Sequence, residues 1–364
     1  MLSNTALQSA CPPNNLGGMN YAFSSYCRNV VNAWSGGVAD SKRNRLIIWG
    51  GGHGDYSGNE VYSLNLASTP PALVRLTDPS VFDPNSCPDA NVSDGTPVSR
   101  HTYNNLVYLP KQDWMFSFDG GKAPCGSPST HTWTLDLSAP VPKWHAMDPV
   151  NGFNPVGGNW QAYAVCAYDP NSQTVICNAS DTFLRYNPGT NTYTRLSTQH
   201  VPFSATGVVD PVRKLMIFMG HEYQATAPLV KVVDLSRGSN FTLKDWSSQV
   251  TGCNVLAGAD YPGLQYDPVL DRIVGWPGRG NTVYLFDPDT KTCTAQTFAN
   301  GPQNTSINGT FGRFQYFPGL DAFALVNQAS SDAFLLKLSS PGVTAGGLNA
   351  KGAGNVIPVR PAVR

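Results

Sequence analysis

Charge is scarce in this chain. Only 13% of its residues are charged, and 24 Lys and Arg balance 24 Asp and Glu, so no net field draws a polyanion or an anionic membrane. A nucleic-acid partner and a membrane-surface role are not expected. Long apolar runs are missing as well: the longest are strand-sized, far below the roughly 20 residues that cross a bilayer as a helix. The opening Met1-Leu2-Ser3-Asn4 has neither a basic stretch nor an apolar core, so no secretory signal is present in the chain as it stands. The eight cysteines contain no Cys-x-x-Cys and no Cys/His zinc spacing, which points to disulfides formed in an oxidising compartment. The expectation is a secreted protein whose signal has been removed.

What is present is turn chemistry. The chain has 35 Gly and 29 Pro beside 41% hydrophobic residues, the balance of a turn-rich β protein, and 364 residues suit one large all-β repeat unit. A turn signal recurs between apolar strands at Ala39 to Leu46, Tyr108 to Met115, Tyr168 to Val175, Val209 to Leu215, Tyr266 to Ile273 and Tyr316 to Phe323. Each copy leads into a short apolar strand, a polar glycine-rich loop and a third strand ending in pairs such as Asn65-Leu66, Asp136-Leu137 or Asp287-Pro288. A four-stranded unit repeating every roughly 40 to 70 residues is the mark of a β-propeller. Such sheets bury their faces only by packing radially into a closed ring.

The fold class expected is therefore an all-β propeller of six four-stranded blades. A seventh, hidden in residues 8–34 or in the tail, is the alternative. Residues 1–30 are read as a closing segment, 31–339 as blades and 340–364 as a wrapping tail. The sixth unit lacks an outer strand, which Leu2 to Leu7 could supply to latch the ring. Cys166 and Cys177 flank the turn at residues 169–174 symmetrically, which places them opposite each other in a hairpin and within bonding reach. By order and proximity Cys11 with Cys27, Cys87 with Cys125 and Cys253 with Cys293 are plausible pairs. Sequons at Asn91, Asn178, Asn240, Asn304 and Asn308 are compatible with export.

Ala33-Trp34-Ser35-Gly36-Gly37, Leu46-Ile47-Ile48-Trp49-Gly50-Gly51-Gly52-His53 and Asn59-Glu60-Val61-Tyr62 resemble the kelch family and the central propeller of galactose oxidase. That resemblance implies a fold and little chemistry.

The repeat assigns loops to faces. The segment leading into each innermost strand and the loop joining strands two and three emerge together over the central shaft. There the chain places His53, His101 and His221, three of its six histidines, with Arg100, Arg279 and Arg313. Tyr56, Asn59, Trp160, Glu222 and Tyr223 share those loops and complete a candidate substrate-binding set. Histidine exchanges protons near neutral pH, and arginine grips a carboxylate by two contacts. Walled by Trp and Tyr, such a site suits an acidic sugar and β-elimination of a uronate-containing polysaccharide or oligosaccharide. The reaction needs a neutralised carboxylate, a base for the C5 proton and an acid for the leaving oxygen.

The order of His53, His101, Tyr163 and Arg185 is similar to that of the propeller lyases, the ulvan lyases and those that release rhamnose from glucuronate. This resemblance implies His101 or Tyr163 as base, Tyr163 as acid, and His53 with Arg185 as carboxylate neutralisers. The competing reading is a non-catalytic glycan- or protein-binding kelch module. A third has His53, His101 and His221 converging on a metal in an oxidase or hydrolase. Glu222 and Asp55 form a candidate hydrolytic carboxylate pair. No Tyr-His dipeptide occurs, which speaks against a copper radical oxidase. The lyase reading requires no cofactor, a structural or catalytic divalent metal stays open, and a monomer is expected. Trp49, Trp114 and Trp276 fall at equivalent strand positions and read as packing between blades.

Overall fold

The computed structural model describes residues 1–83, 85–90, 93–129, 131–147, 163–179, 181–238 and 241–338. Six antiparallel sheets are laid out in chain order, each running from an inner strand outward. The inner strands of blades I to VI are Gly36–Asp40, Val107–Leu109, Val165–Asp169, Thr206–Asp210, Gly263–Asp267 and Phe314–Phe317. Each packs on the inner strands of both neighbours, and the sixth packs on the first, so the ring closes. No described helix is long and apolar enough to cross a membrane.

The recurring turn has one backbone cause in all six blades. Asn44, Asp113, Gln173, Lys214, Asp271 and Asp321, each just before a second strand, adopt positive φ between 46° and 62°, the left-handed residue that brings a tight hairpin back into register. In four blades the Asp at the end of the inner strand caps the turn by accepting from a backbone amide. The pairs are Asp40 with Arg43 at 3.2 Å, Asp169 with Asn171 at 3.0 Å, Asp210 with Val212 at 3.0 Å and Asp267 with Val269 at 2.9 Å. Arginines stitch this face between blades: Arg43 pairs with Asp40 at 3.0 Å and with Asp113 of blade II at 2.6 Å. Arg213 pairs with Asp210 at 2.9 Å and reaches Asp271 and Asp289 of blade V at 2.8 and 2.7 Å.

Four disulfides join Cys11 to Cys27, Cys87 to Cys125, Cys166 to Cys177 and Cys253 to Cys293. Cys166 and Cys177 face each other directly across the first hairpin of blade III, their Cα atoms 4.1 Å apart.

Among the described residues blade VI has three strands, with Phe334–Leu336 outermost. The N-terminus latches it without adding the expected fourth. Leu2 and Gln8 donate backbone hydrogen bonds to Ala333 and Ala329 at 2.8 and 3.0 Å. The Asp332 carboxylate accepts from the Thr5 and Ala6 amides at 2.7 and 3.1 Å. These contacts fall on the loop before the outer strand, and by taking two successive amides Asp332 turns the chain away from a ladder. Leu7 then buries against Phe23, Val30 and Val31. Residues 8–34 form short helical turns at Phe23–Tyr26 and Asn29–Asn32 instead of a seventh blade. The proposed wrapping tail at 340–364 lies outside the described residues.

The seam between blades VI and I rests on two adjacent residues. A Cβ on Gly312 would stand 2.0 Å from the Gly37 carbonyl oxygen, so only glycine lets the two backbones meet. Next to it the fully buried Arg313 guanidinium donates to the carbonyls of Ser35 and Val326, both at 2.8 Å, and of Asn327 at 3.3 Å and Gly309. Burial pushes its pKa down to about 9. Arg313→Met keeps the stem and removes every donor, leaving carbonyls unpaired across the seam. The expected loss is about 3 kcal/mol of unfolding free energy, read by urea denaturation; an unchanged midpoint would show that the ring closes without the guanidinium.

Candidate active site

The loops on the face opposite the turns surround a cavity of about 1140 Å³ over the shaft. Its floor is aromatic. Ring centroids run from Tyr103 to Tyr163 at 4.7 Å, to Phe203 at 4.1 Å, to Tyr261 at 6.5 Å, to Phe311 at 4.6 Å and back to Tyr103 at 5.8 Å. Trp34, Tyr103, Tyr261 and Phe311 sit at positive φ of 46°, 40°, 45° and 51°, a conformation that bulky residues rarely adopt and that surrounding structure must hold. Hydrogen bonds between blades do so: Tyr103 donates its amide to the Trp34 carbonyl at 2.8 Å, Tyr261 to Ser204 at 2.9 Å and Phe311 to Tyr261 at 3.2 Å.

One wall is built where the first loop of blade I presses on the segment leading into blade II. Gly52 allows it, since a Cβ there would stand 2.2 Å from the Arg100 Cα. The amides of His53 and His101 both donate to the Gly121 carbonyl, at 3.2 and 3.0 Å, which brings the two imidazoles into a stack 5.5 Å apart. His101 is nearly buried, with Nε2 2.9 Å from Asp55 Oδ2 and Nδ1 3.2 Å from the Tyr103 hydroxyl. Trp34 covers its ring at 5.1 Å. Burial lowers the His101 pKa, against the pull of Asp55. The Tyr103 and Tyr163 phenols are both raised, chiefly by burial.

Behind this wall stands Asp119, fully buried, with neither carboxyl oxygen hydrogen-bonded by side chains among the described residues. Burial pushes its pKa up to about 7, with the Gly120 amide and Arg100 opposing.

The far wall carries a second His–Asp pair. His221 Nε2 lies 3.0 Å from Asp260 Oδ1, and Nδ1 2.8 Å from the Glu222 carbonyl. Further out, His200 bridges Asp181 at 2.7 Å and Glu222 at 3.0 Å. Burial depresses the His200 pKa, and the two carboxylates outweigh it to leave a net rise.

Of the residues singled out from sequence, His53, His101, Tyr163, Tyr223 and Arg279 line this one cavity with Asp55. His221 and Glu222 do not line it: His221 pairs with Asp260, which does, and the Glu222 carboxylate pairs with His200. Arg185 does not reach the cavity: its guanidinium donates to the Gly238 carbonyl at 3.0 Å and covers the Phe241 ring of blade IV. Arg313 is spent on the seam. Arg100 is buried over Trp49, donating to the carbonyls of Val98 and Asp89 at 3.2 and 3.3 Å. Tyr56 turns inward to Glu60, and Asn59 to Ser80 and Thr96. Trp160 lies outside the described residues, as do Asn91 and Asn240.

His53, His101 and His221 do not converge on one point, because His221 is committed to Asp260 across the cavity. No group of three His, Cys, Asp or Glu with metal-holding geometry occurs among the described residues. Phe203, Phe311, Asp260 and Asp119 were not anticipated. An aromatic two or three positions before the inner strands of blades I, III, IV, V and VI was the available signal for the floor.

No family model and no curated protein matches the chain. Among solved structures, that of YjhT is similar at TM-score 0.55 and 8% identity, covering 85% of this chain and 96% of that one. Identity this low is a likeness of fold alone.

Asp119 gives the site a pH signature. Unfolded, its carboxyl loses a proton near 3.8; folded, only near 7. Between these values the native state binds more protons, so its contribution to stability falls as pH rises. Asp119→Asn should remove that loss and gain on the order of 4 kcal/mol over the native protein near pH 8, while differing little near pH 4. Denaturant titrations at both pH values check it, and equal gains at both would show that charge is not the cause.

Proposed function

We propose that the protein is a secreted carbohydrate-active enzyme that cleaves a uronate-containing glycan by β-elimination in the central cavity. The observation that carries this reading is the desolvated His101 held 2.9 Å from Asp55, in a cavity that also presents His53, Tyr163 and Arg279. Burial disfavours the imidazolium and keeps His101 neutral near pH 7, the form that accepts a proton.

In the reaction the C5 proton passes to the His101 system and its electron pair becomes the C4–C5 double bond. The C4–O bond breaks, and the leaving oxygen takes a proton from Tyr163. Abstraction next to a carboxylate requires that its charge be neutralised. With Arg185 turned to blade IV, Arg279 takes that part, assisted by His53. The exposed Tyr223 ring, with the half-buried Tyr163 and Phe203, offers apolar faces on which sugar rings stack, and the four disulfides suit an exported enzyme.

The test is ultraviolet absorbance of the unsaturated uronate across a panel of uronate glycans. Native protein should give a rising signal on at least one. His101→Ala should lower kcat by about 100-fold or more, and Arg279→Ala should raise KM. A silent panel, with glycan binding that survives His101→Ala, would leave a non-catalytic binding module as the function.

A further inference from the structure

His101 has no free nitrogen to offer a substrate. Nε2 faces Asp55 at 2.9 Å and Nδ1 faces the Tyr103 hydroxyl at 3.2 Å. An ionised carboxylate only accepts, so Nε2 carries the hydrogen. In the neutral ring Nδ1 is then the acceptor, and the Tyr103 hydroxyl donates to it. Tyr103 lines the cavity; Asp55 does too, on a loop fixed by the Asn29 side chain, which donates to the Asp55 carbonyl at 2.7 Å.

We propose that Tyr103 is the group that meets the substrate's proton, that His101 acts only through it, and that Asp55 is the positioning residue that sets the His101 tautomer. The proposal rests on the β-elimination reading and names the path of its proton. The Tyr103 oxygen takes the C5 proton as its own hydroxyl proton moves to His101 Nδ1, so the phenol stays neutral overall and His101 becomes an imidazolium facing Asp55. No free tyrosinate is formed. This matters because burial, with Tyr163 and Tyr261 next, holds the Tyr103 phenol far above its usual acidity range. The titratable groups facing His101 are Asp55, His53 and Tyr103.

Two measurements test it. Nitrogen-15 NMR of histidine-labelled native protein near neutral pH, with no substrate, should show His101 protonated at Nε2 and bare at Nδ1. A proton on Nδ1 overturns the proposal, whatever the enzyme acts on. On a glycan that the native protein cleaves, Tyr103→Phe should lower kcat by about 100-fold or more with KM little changed. Asp55→Ala should move the acidic limb of the pH–rate profile to lower pH, since Asp55 favours the imidazolium, and Asp55→Glu should restore part of the shift. Native rates in Tyr103→Phe overturn the relay. A native protein that cleaves no uronate glycan removes the lyase reading, and the NMR result still decides the tautomer.

Discussion

Everything in this molecule depends on closing a ring at a seam where two backbones nearly collide. Blade VI meets blade I through Gly312 against the Gly37 carbonyl, with the Arg313 guanidinium buried beside them on main-chain oxygens. A buried cation is tolerated only where its donors are satisfied, and here the acceptors come from both sides of the seam. Arg313 Nε holds the Ser35 carbonyl. Trp34, next in the chain, accepts the Tyr103 amide and covers His101. The seam and the proposed chemistry are thus a few bonds apart.

The two faces of the ring solve different problems. On the turn face, Arg43 and Arg213 tie blade to blade with carboxylates, and the local hairpin rule repeats in all six blades. On the cavity face the segments leading into the inner strands hold large aromatics at positive φ. That strain is held by neighbouring blades and cannot be relieved locally, which keeps the floor and the His101 wall in fixed register.

The fold was legible because its signal is local and repeated. A left-handed residue after a tight turn selects Asn, Asp, Gln or Lys, and an Asp cap marks four of the six copies, three of them with a following Pro. The cavity was legible only as far as the repeat could carry it. Assigning loops to a face gathered His53, His101, Tyr163, Tyr223 and Arg279. It could not say which way a guanidinium points. Arg100, Arg185 and Arg313 stand in site-facing or adjacent segments, yet all three serve main-chain carbonyls, and Arg100 and Arg185 also cover aromatic rings, because in a chain with few acids the main chain is the nearest acceptor. Asp55 and Tyr103 were visible in the loops, but their link through His101 joins blades I and II and has no trace in spacing. Asp119 follows a strand and precedes Gly120-Gly121, so it reads as turn chemistry.

The aromatic floor also ties the blades together against change. Tyr103, Tyr163, Phe203, Tyr261 and Phe311 come from the segments leading into blades II to VI, and each ring touches the next in an unbroken circuit. A side chain enlarged or truncated at one position is therefore felt by rings from two other blades, so these five positions can drift only in concert.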